Sequence, residues 1–194
     1  MGHYTDAPED NLLGLLTHQA INEAEVLGIA RAETFLTELD YPLEISVPFI
    51  RTLHQTAFGH LYDWAGQWRI STPNVGAYLP PPPVKIPQLM YEFEDELRFR
   101  MSNTQAAAPA EVALVLAYAH HRLVFIHPFT NGNGRTARLL TNALAYHFGY
   151  AEVILYQREA GDSRKKYLQA IQHGDANGLD ELEKLISSLL SPLA

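Results

Sequence analysis

Two glycines flanking one asparagine, Gly132-Asn133-Gly134, stand between two runs of helical periodicity, and this junction constrains the fold more than any other part of the chain. On its amino side, residues 110–126 are apolar almost all round, which predicts a central helix buried on every face. On its carboxyl side, Leu139, Leu140, Ala143, Leu144, Tyr146 and His147 recur at helical spacing, so a second helix is expected to start at the glycines. Glycine frees the backbone to approach a ligand, and the unpaired N–H groups and dipole of a helix N-terminus favour an anion. Arg135 and Arg138 lie three apart on the first turn, close enough in angle for both guanidiniums to reach one bound group, which points to a polyphosphate. His127 precedes the cradle; Pro128 is expected to hold it extended, and an imidazole suits a general base near neutral pH.

Residues 127–138, HPFTNGNGRTAR, resemble the signature of the Fic (Fido) family, HxFx[DE]GNGRxxR. The resemblance implies an all-α Fic fold with a small β-hairpin flap over the active site. It also implies transfer of a phosphate-containing group, typically AMP from ATP, to a Tyr, Thr or Ser hydroxyl of a target protein. In that reading His127 deprotonates the hydroxyl, Phe129 anchors the loop in the core, Gly132, Asn133 and Gly134 bind phosphates, and Arg135 and Arg138 hold the β and γ phosphates. Mg²⁺, or Mn²⁺, would be the cofactor. One position departs: Asn131 stands where the family has an Asp or Glu for the metal, and a neutral amide oxygen draws a hard cation less than a carboxylate does, so a weak metal contact is expected there. Two alternatives stay open, a catalytically weakened binding or regulatory protein and a transferase with another donor. The segments Leu15-Leu16-Thr17-His18, Asn22-Glu23 and Asn74-Val75-Gly76 resemble the subgroup called mobile mystery protein B.

The 194 residues, 47% hydrophobic and 19% charged, suit one domain over 11–194 behind a loose polar N-terminus at 1–10. A net charge of −8 offers no footprint for nucleic acid or anionic membrane. No apolar run approaches the ~18 residues of a membrane span, and the first residues are acidic where a secretory signal would be basic and apolar. A cytoplasmic protein without nucleic-acid or membrane partners is expected. The absence of cysteine excludes disulfides and thiolate chemistry.

Along the chain, Leu12, Leu15, Leu16, Ile21, Val26, Ile29, Ala30 and Leu36 predict one or two helices over 11–39, with the charged positions between them facing water. A second helix is expected over 47–64, stopped by Gly66. Trp68 to Ser71, a turn at Pro73-Asn74-Val75-Gly76, and Ala77 to Leu79 predict a small hairpin, ended by the prolines at 80–83. The resemblance makes it the flap, with Arg69, Ile70, Ser71, Val75, Gly76, Ala77 and Tyr78 docking the target as an added strand. An amphipathic helix over 86–101 with a solvated acidic run, a short apolar piece over 150–156, and helices over 162–173 and 180–190 complete the prediction.

Rival chemistries fail on context. Gly132, Gly134 and Ala137 satisfy a dinucleotide GxGxxA, but that motif must follow a strand, and a helix is predicted there. No GK[ST] exists for a P-loop. Adjacent His120 and His121 point about 100° apart on a helix and lack zinc-ligand spacing, so packing or hydrogen bonding is expected of them. Many Fic proteins are silenced by a glutamate of an [ST]xxxE[GN] helix that reaches the second motif arginine. Thr5 to Glu9 and Thr34 to Glu38 match it only in part, so an internal inhibitory helix is not expected, and an antitoxin partner could supply the glutamate instead.

Overall fold

The computed structural model describes residues 10–73, 75, 78–155 and 162–193, with backbone alone at 175–177. Among them run seven α-helices: α1 (His18–Thr37), α2 (Val47–Phe58), α3 (Ile86–Ser102), α4 (Pro109–Ile126), α5 (Asn133–His147), α6 (Asp162–Asn177) and α7 (Asp180–Ser187). No sheet forms among the described residues, in keeping with the all-α expectation; two isolated bridges, Val75 with Tyr78 and Tyr150 with Pro192, are the only strand-like pairings there. No helix among them is long and apolar enough to cross a membrane.

The core is built around α4, which packs against α3, α5, α6 and α7. Val112, Ala113, Val115, Leu116, Ala117, Ala119, Leu123 and Ile126 of α4 are buried, as its all-round apolar sequence predicts. Proline in its first turn starts it without the loss of a helical hydrogen bond.

The N-terminal region departs from its prediction. Helix α1 starts only at His18, where the Thr17 hydroxyl accepts from the Ala20 N–H at 3.2 Å. Residues before it form a loop in which the Asn11 side chain bonds both the N–H and the C=O of Leu15, at 2.9 Å each. Leu12 and Leu16 are therefore exposed. The buried face of α1 is Ile21, Glu25, Gly28, Ala32 and Leu36, so a charged residue sits on it and Val26 lies outside it. Gly28 is required by close packing: a Cβ there would fall 1.9 Å from the Ala57 carbonyl oxygen. Helix α2 likewise stops at Phe58, six residues before the expected Trp64, and turns carry the chain on to Gly66. The acidic run of α3 is only partly solvated, because Glu94 accepts from the Val47 N–H at 2.5 Å and so caps α2.

The expected β-hairpin over 68–79 is absent among the described residues. What remains is the one bridge, with the Tyr78 N–H on the Val75 carbonyl at 3.0 Å; Asn74, Gly76 and Ala77 lie outside the described residues. Prolines at 73 and 80–83 withhold the N–H groups that a two-stranded ladder needs. Among its described residues, Arg69 and Tyr78 instead bond the end of α4.

His120, wholly buried on α4, ties three helices together. The Thr141 hydroxyl of α5 donates to the Ala137 carbonyl at 2.8 Å, which leaves it to accept from His120 Nδ1 at 2.9 Å. Nε2 then accepts from the Tyr167 hydroxyl of α6 at 2.8 Å. Burial pulls the His120 pKa from 6.5 to about 3 and that of fully buried His54 to about 4. The unfolded chain takes up these protons near pH 6.5 while the folded chain resists until far lower, so stability is complete above pH 6.5 and drains as the pH falls towards 4. Urea unfolding of the wild type should show midpoints falling steadily from pH 7 to pH 5. His120→Phe should cost about 2 kcal/mol at pH 7 and show a shallower fall; equal slopes in the two proteins would mean that His120 is not held neutral.

Candidate active site

The turn between α4 and α5 is built by satisfying backbone groups that a helix end leaves over. The last carbonyls of α4 have no helical partners, and each meets a side chain. His127 Nδ1 takes Val124 O at 3.2 Å, the Tyr78 hydroxyl donates to Phe125 O at 2.8 Å, and the Arg69 guanidinium donates to Ile126 O at 3.5 Å and to His127 O at 2.6 Å. The Arg69 N–H adds a bond to Pro128 O at 2.9 Å.

His127 is thus the residue that ends α4, at φ 53° and ψ 56°, in the left-handed region rather than extended as Pro128 suggested. That conformation costs a non-glycine residue on the order of 1 kcal/mol and persists only where its surroundings hold it. A carbonyl can only accept, so Nδ1 carries the ring proton and Nε2 keeps its lone pair; Nε2 has no hydrogen bond among the described residues. Burial, offset in part by the Val124 bond and aided by the nearby Arg69 charge, lowers the pKa from 6.5 to about 4. At neutral pH the ring is an unprotonated base with one exposed function.

Beyond His127, Phe129 is fully buried and stacks on His54, ring centres 3.8 Å apart. The Asn133 side chain closes the loop on itself, accepting from the Phe129 N–H at 2.9 Å and donating to its carbonyl at 2.8 Å. The Asn133 side chain is thus spent on the loop, and the residue is 2% exposed. The Gly66 N–H donates to His54 Nδ1 at 2.9 Å, which leaves Nε2–H to donate to Asn131 O at 3.0 Å. Gly132 has φ 76°, and a Cβ on it would strike the Phe58 ring at 2.6 Å.

Helix α5 starts at Asn133, and its first N–H groups, at Asn133, Gly134 and Arg135, have no carbonyl to receive them within the helix. A Cβ on Gly134 would meet nothing nearer than Arg138 Nη1 at 4.0 Å, so open space lies beside Gly134 with a guanidinium on its edge. Arg135 and Arg138 line one cavity of about 130 Å³ with Glu33, Asn142 and Glu152. Arg135 is oriented by Glu25 at 2.6 Å and lies 4.6 Å over the Phe58 ring. Burial and the Glu152 charge push the Glu33 carboxyl up, against the pull of Arg138.

The site does not suit a protein-held divalent cation. The Asn131 Oδ1 accepts from the Gly132 N–H at 2.7 Å and from Arg135 at 3.4 Å, so an incoming metal would face a guanidinium already on that oxygen. Among the described residues no group of three His, Asp or Glu could hold a metal ion.

The structure brings His127, Gly132, Asn133, Gly134, Arg135 and Arg138 around one turn, and sets Arg69 beneath it, not over it. Ile70 is 95% exposed, whereas Arg69 is 2% exposed and cannot meet a target. Sequence reasoning missed Glu25 and His54. Glu25 had a signal, since it falls on the Ile21–Gly28–Ala32 stripe where a lone carboxylate needs a cation; nothing in the sequence sets His54 apart.

The chain is similar to known proteins in sequence and in fold. The sequence model of the Fic/DOC family matches residues 44–145. Protein adenylyltransferase Fic of Drosophila persimilis is 36% identical over 156 residues, covering 78% of this chain and 29% of the relative. The protein of the same name from Nematostella vectensis is 32% identical over 189 residues, covering 89% and 43%. The chain thus spans less than half the length of these curated relatives. Its fold matches that of the Bartonella tribocorum effector BepC with bound AMPPNP, at a TM-score of 0.80, 18% identity and coverage of 98% and 96%. A Bartonella quintana Fic domain with bound ADP matches at 0.75, with 19% identity and coverage of 98% and 94%.

The two glycines separate structure from binding. Gly132→Ala should lower the unfolding free energy by about 3 kcal/mol, from the positive φ and the Phe58 clash. Gly134→Ala should fold with unchanged stability yet bind inorganic tripolyphosphate at least tenfold more weakly, because its methyl enters that open space. Urea unfolding and calorimetric titration of both variants check this; wild-type affinity in Gly134→Ala would remove the cradle from that face.

Proposed function

The chain belongs to the Fic/DOC family, and on that premise we propose that it transfers AMP from ATP to a hydroxyl side chain of a target protein. The observation that carries the proposal is the pairing of a neutral imidazole, its Nε2 lone pair unspent, with an open helix N-terminus and two arginines on the same turn. In the proposed step the target hydroxyl gives its proton to His127 Nε2 as its oxygen attacks the α-phosphorus. The bond from that phosphorus to the bridging oxygen breaks, and pyrophosphate leaves with its charge on the α5 amides, Arg135 and Arg138. Phe129 and Asn133 keep the loop in shape through the reaction. Exposed Ile70 and Ser71, with Val75 and Tyr78, offer the surface on which a target segment lies; Gly76 and Ala77 belong to the same stretch. The relatives' name, protein adenylyltransferase, supports AMP as the group moved, and AMPPNP and ADP bound to fold neighbours support an adenine nucleotide as donor. Since Asn131 does not suit Mg²⁺ or Mn²⁺, no step here runs through a metal.

A second reading, a protein that binds nucleotide and transfers nothing, is favoured by Asn131 alone. Transfer of label from α-labelled ATP to protein, set beside calorimetric ATP binding, separates the two. His127→Ala should keep ATP affinity within about twofold and lose at least a thousandfold in transfer rate, since a base acts on the chemical step. Arg138→Ala should weaken ATP binding itself, roughly tenfold or more, through loss of a charge-assisted contact. The wild-type kcat should hold level down to about pH 5 and fall only as His127 protonates near 4. A wild type that binds ATP and labels no protein would establish the second reading.

A further inference from the structure

Arg69 has an unusual position for an arginine. It is 2% exposed, and the guanidinium is engaged by backbone carbonyls: Nε on His127 O at 2.6 Å, Nη1 on Ser71 O at 2.8 Å, and Nη2 on Pro81 O at 2.5 Å and Ile126 O at 3.5 Å. A cation at the C-terminus of α4 is favoured by the helix dipole, and the five donors of a planar guanidinium can reach four carbonyls set around it. Two of these carbonyls flank the left-handed turn at His127, and the other two are the feet of the 71–81 segment. Burying a charge without a carboxylate is costly, and a lysine or a neutral donor could satisfy at most part of the set.

We propose that Arg69 is a positioning residue for His127, holding its backbone in the left-handed conformation that keeps Nδ1 on Val124 O and Nε2 unbonded, and tying the 71–81 segment to the same point. The proposal rests on the reading of His127 as the base. It explains why a strained φ sits at this position: the His127 carbonyl is drawn onto Arg69 at 2.6 Å, and the ring is then close enough to Val124 to cap it. The nucleotide cradle lies on the other side of the turn and is held by Asn133, His54 and Glu25. Loss of Arg69 should therefore disturb the base and spare nucleotide binding.

The test uses protein labelled with ¹⁵N in the histidine rings. In the wild type, His127 should show a single Nδ1–H tautomer and stay neutral at pH 6; mixed tautomers, or titration near 6.5, would overturn the proposal without any variant. In Arg69→Lys and Arg69→Gln, first shown by circular dichroism to be folded, the tautomers should mix and the His127 midpoint should rise. AMP transfer should fall about a hundredfold in kcat, the scale of a misplaced catalytic group, with ATP affinity within about twofold of wild type. Tyr78→Phe, which leaves Arg69 in place, should keep the His127 spectrum. A folded Arg69 variant with an unchanged His127 spectrum would overturn the proposal, whatever its activity. A wild type that transfers no AMP would refute the proposed function and leave the spectra to judge Arg69 by themselves.

Discussion

A turn between two buried helices leaves the last carbonyls of one and the first N–H groups of the other without helical partners, and an unpaired buried polar group costs about 1–3 kcal/mol. The chain meets this demand unequally at the two ends. At the end of α4, side chains from three different places cover Val124, Phe125, Ile126 and His127. At the start of α5 the first N–H groups have no carbonyl within the helix, and open space lies beside Gly134. On the proposed function the closed end fixes the base and the open end is the anion site, so the functional polarity of the loop would be the polarity of its hydrogen bonding.

Charge follows the same division. In a chain of net charge −8, the two motif arginines sit beside carboxylates. Glu25 meets Arg135 from α1, and Glu33 and Glu152 share a cavity with Arg138. An ion pair as buried as Glu25–Arg135 is a weak source of stability, but it sets where that guanidinium points. An incoming polyphosphate would find both arginines already directed to one face and would have only to outcompete carboxylates. The amide oxygen of Asn131, which accepts from Gly132 and Arg135, belongs to this scaffold.

Two aromatic platforms carry the loop. Phe129 on His54 anchors its middle, and Phe58 under both Gly132 and Arg135 anchors its end. Both platforms come from α2, which is why α2 must stop at Phe58 and let the chain turn back to Gly66, whose N–H sets the His54 tautomer.

The residues that the chain by itself determined are those whose role depends on near neighbours. An all-round apolar run is a buried helix wherever it stands, and two glycines beside a helical pattern are an open N-terminus, so α4, α5 and the order of the motif along the turn were legible. Helix ends and the 68–79 segment were not, because their hydrogen bonds go to partners far along the chain. Arg69 reaches His127, and Tyr78 reaches Phe125, across separations of 58 and 47 residues. Two short runs with a turn signal between them cannot tell a hairpin from a strap that caps a helix. Likewise Pro128 argues for an extended His127 on local sterics, and only the pull of a guanidinium on its carbonyl decides for the left-handed turn. Glu25 and His54 became site residues the same way: tertiary packing supplied the Arg135 guanidinium and the Asn131 carbonyl, and a buried polar group takes its meaning from the partner it finds.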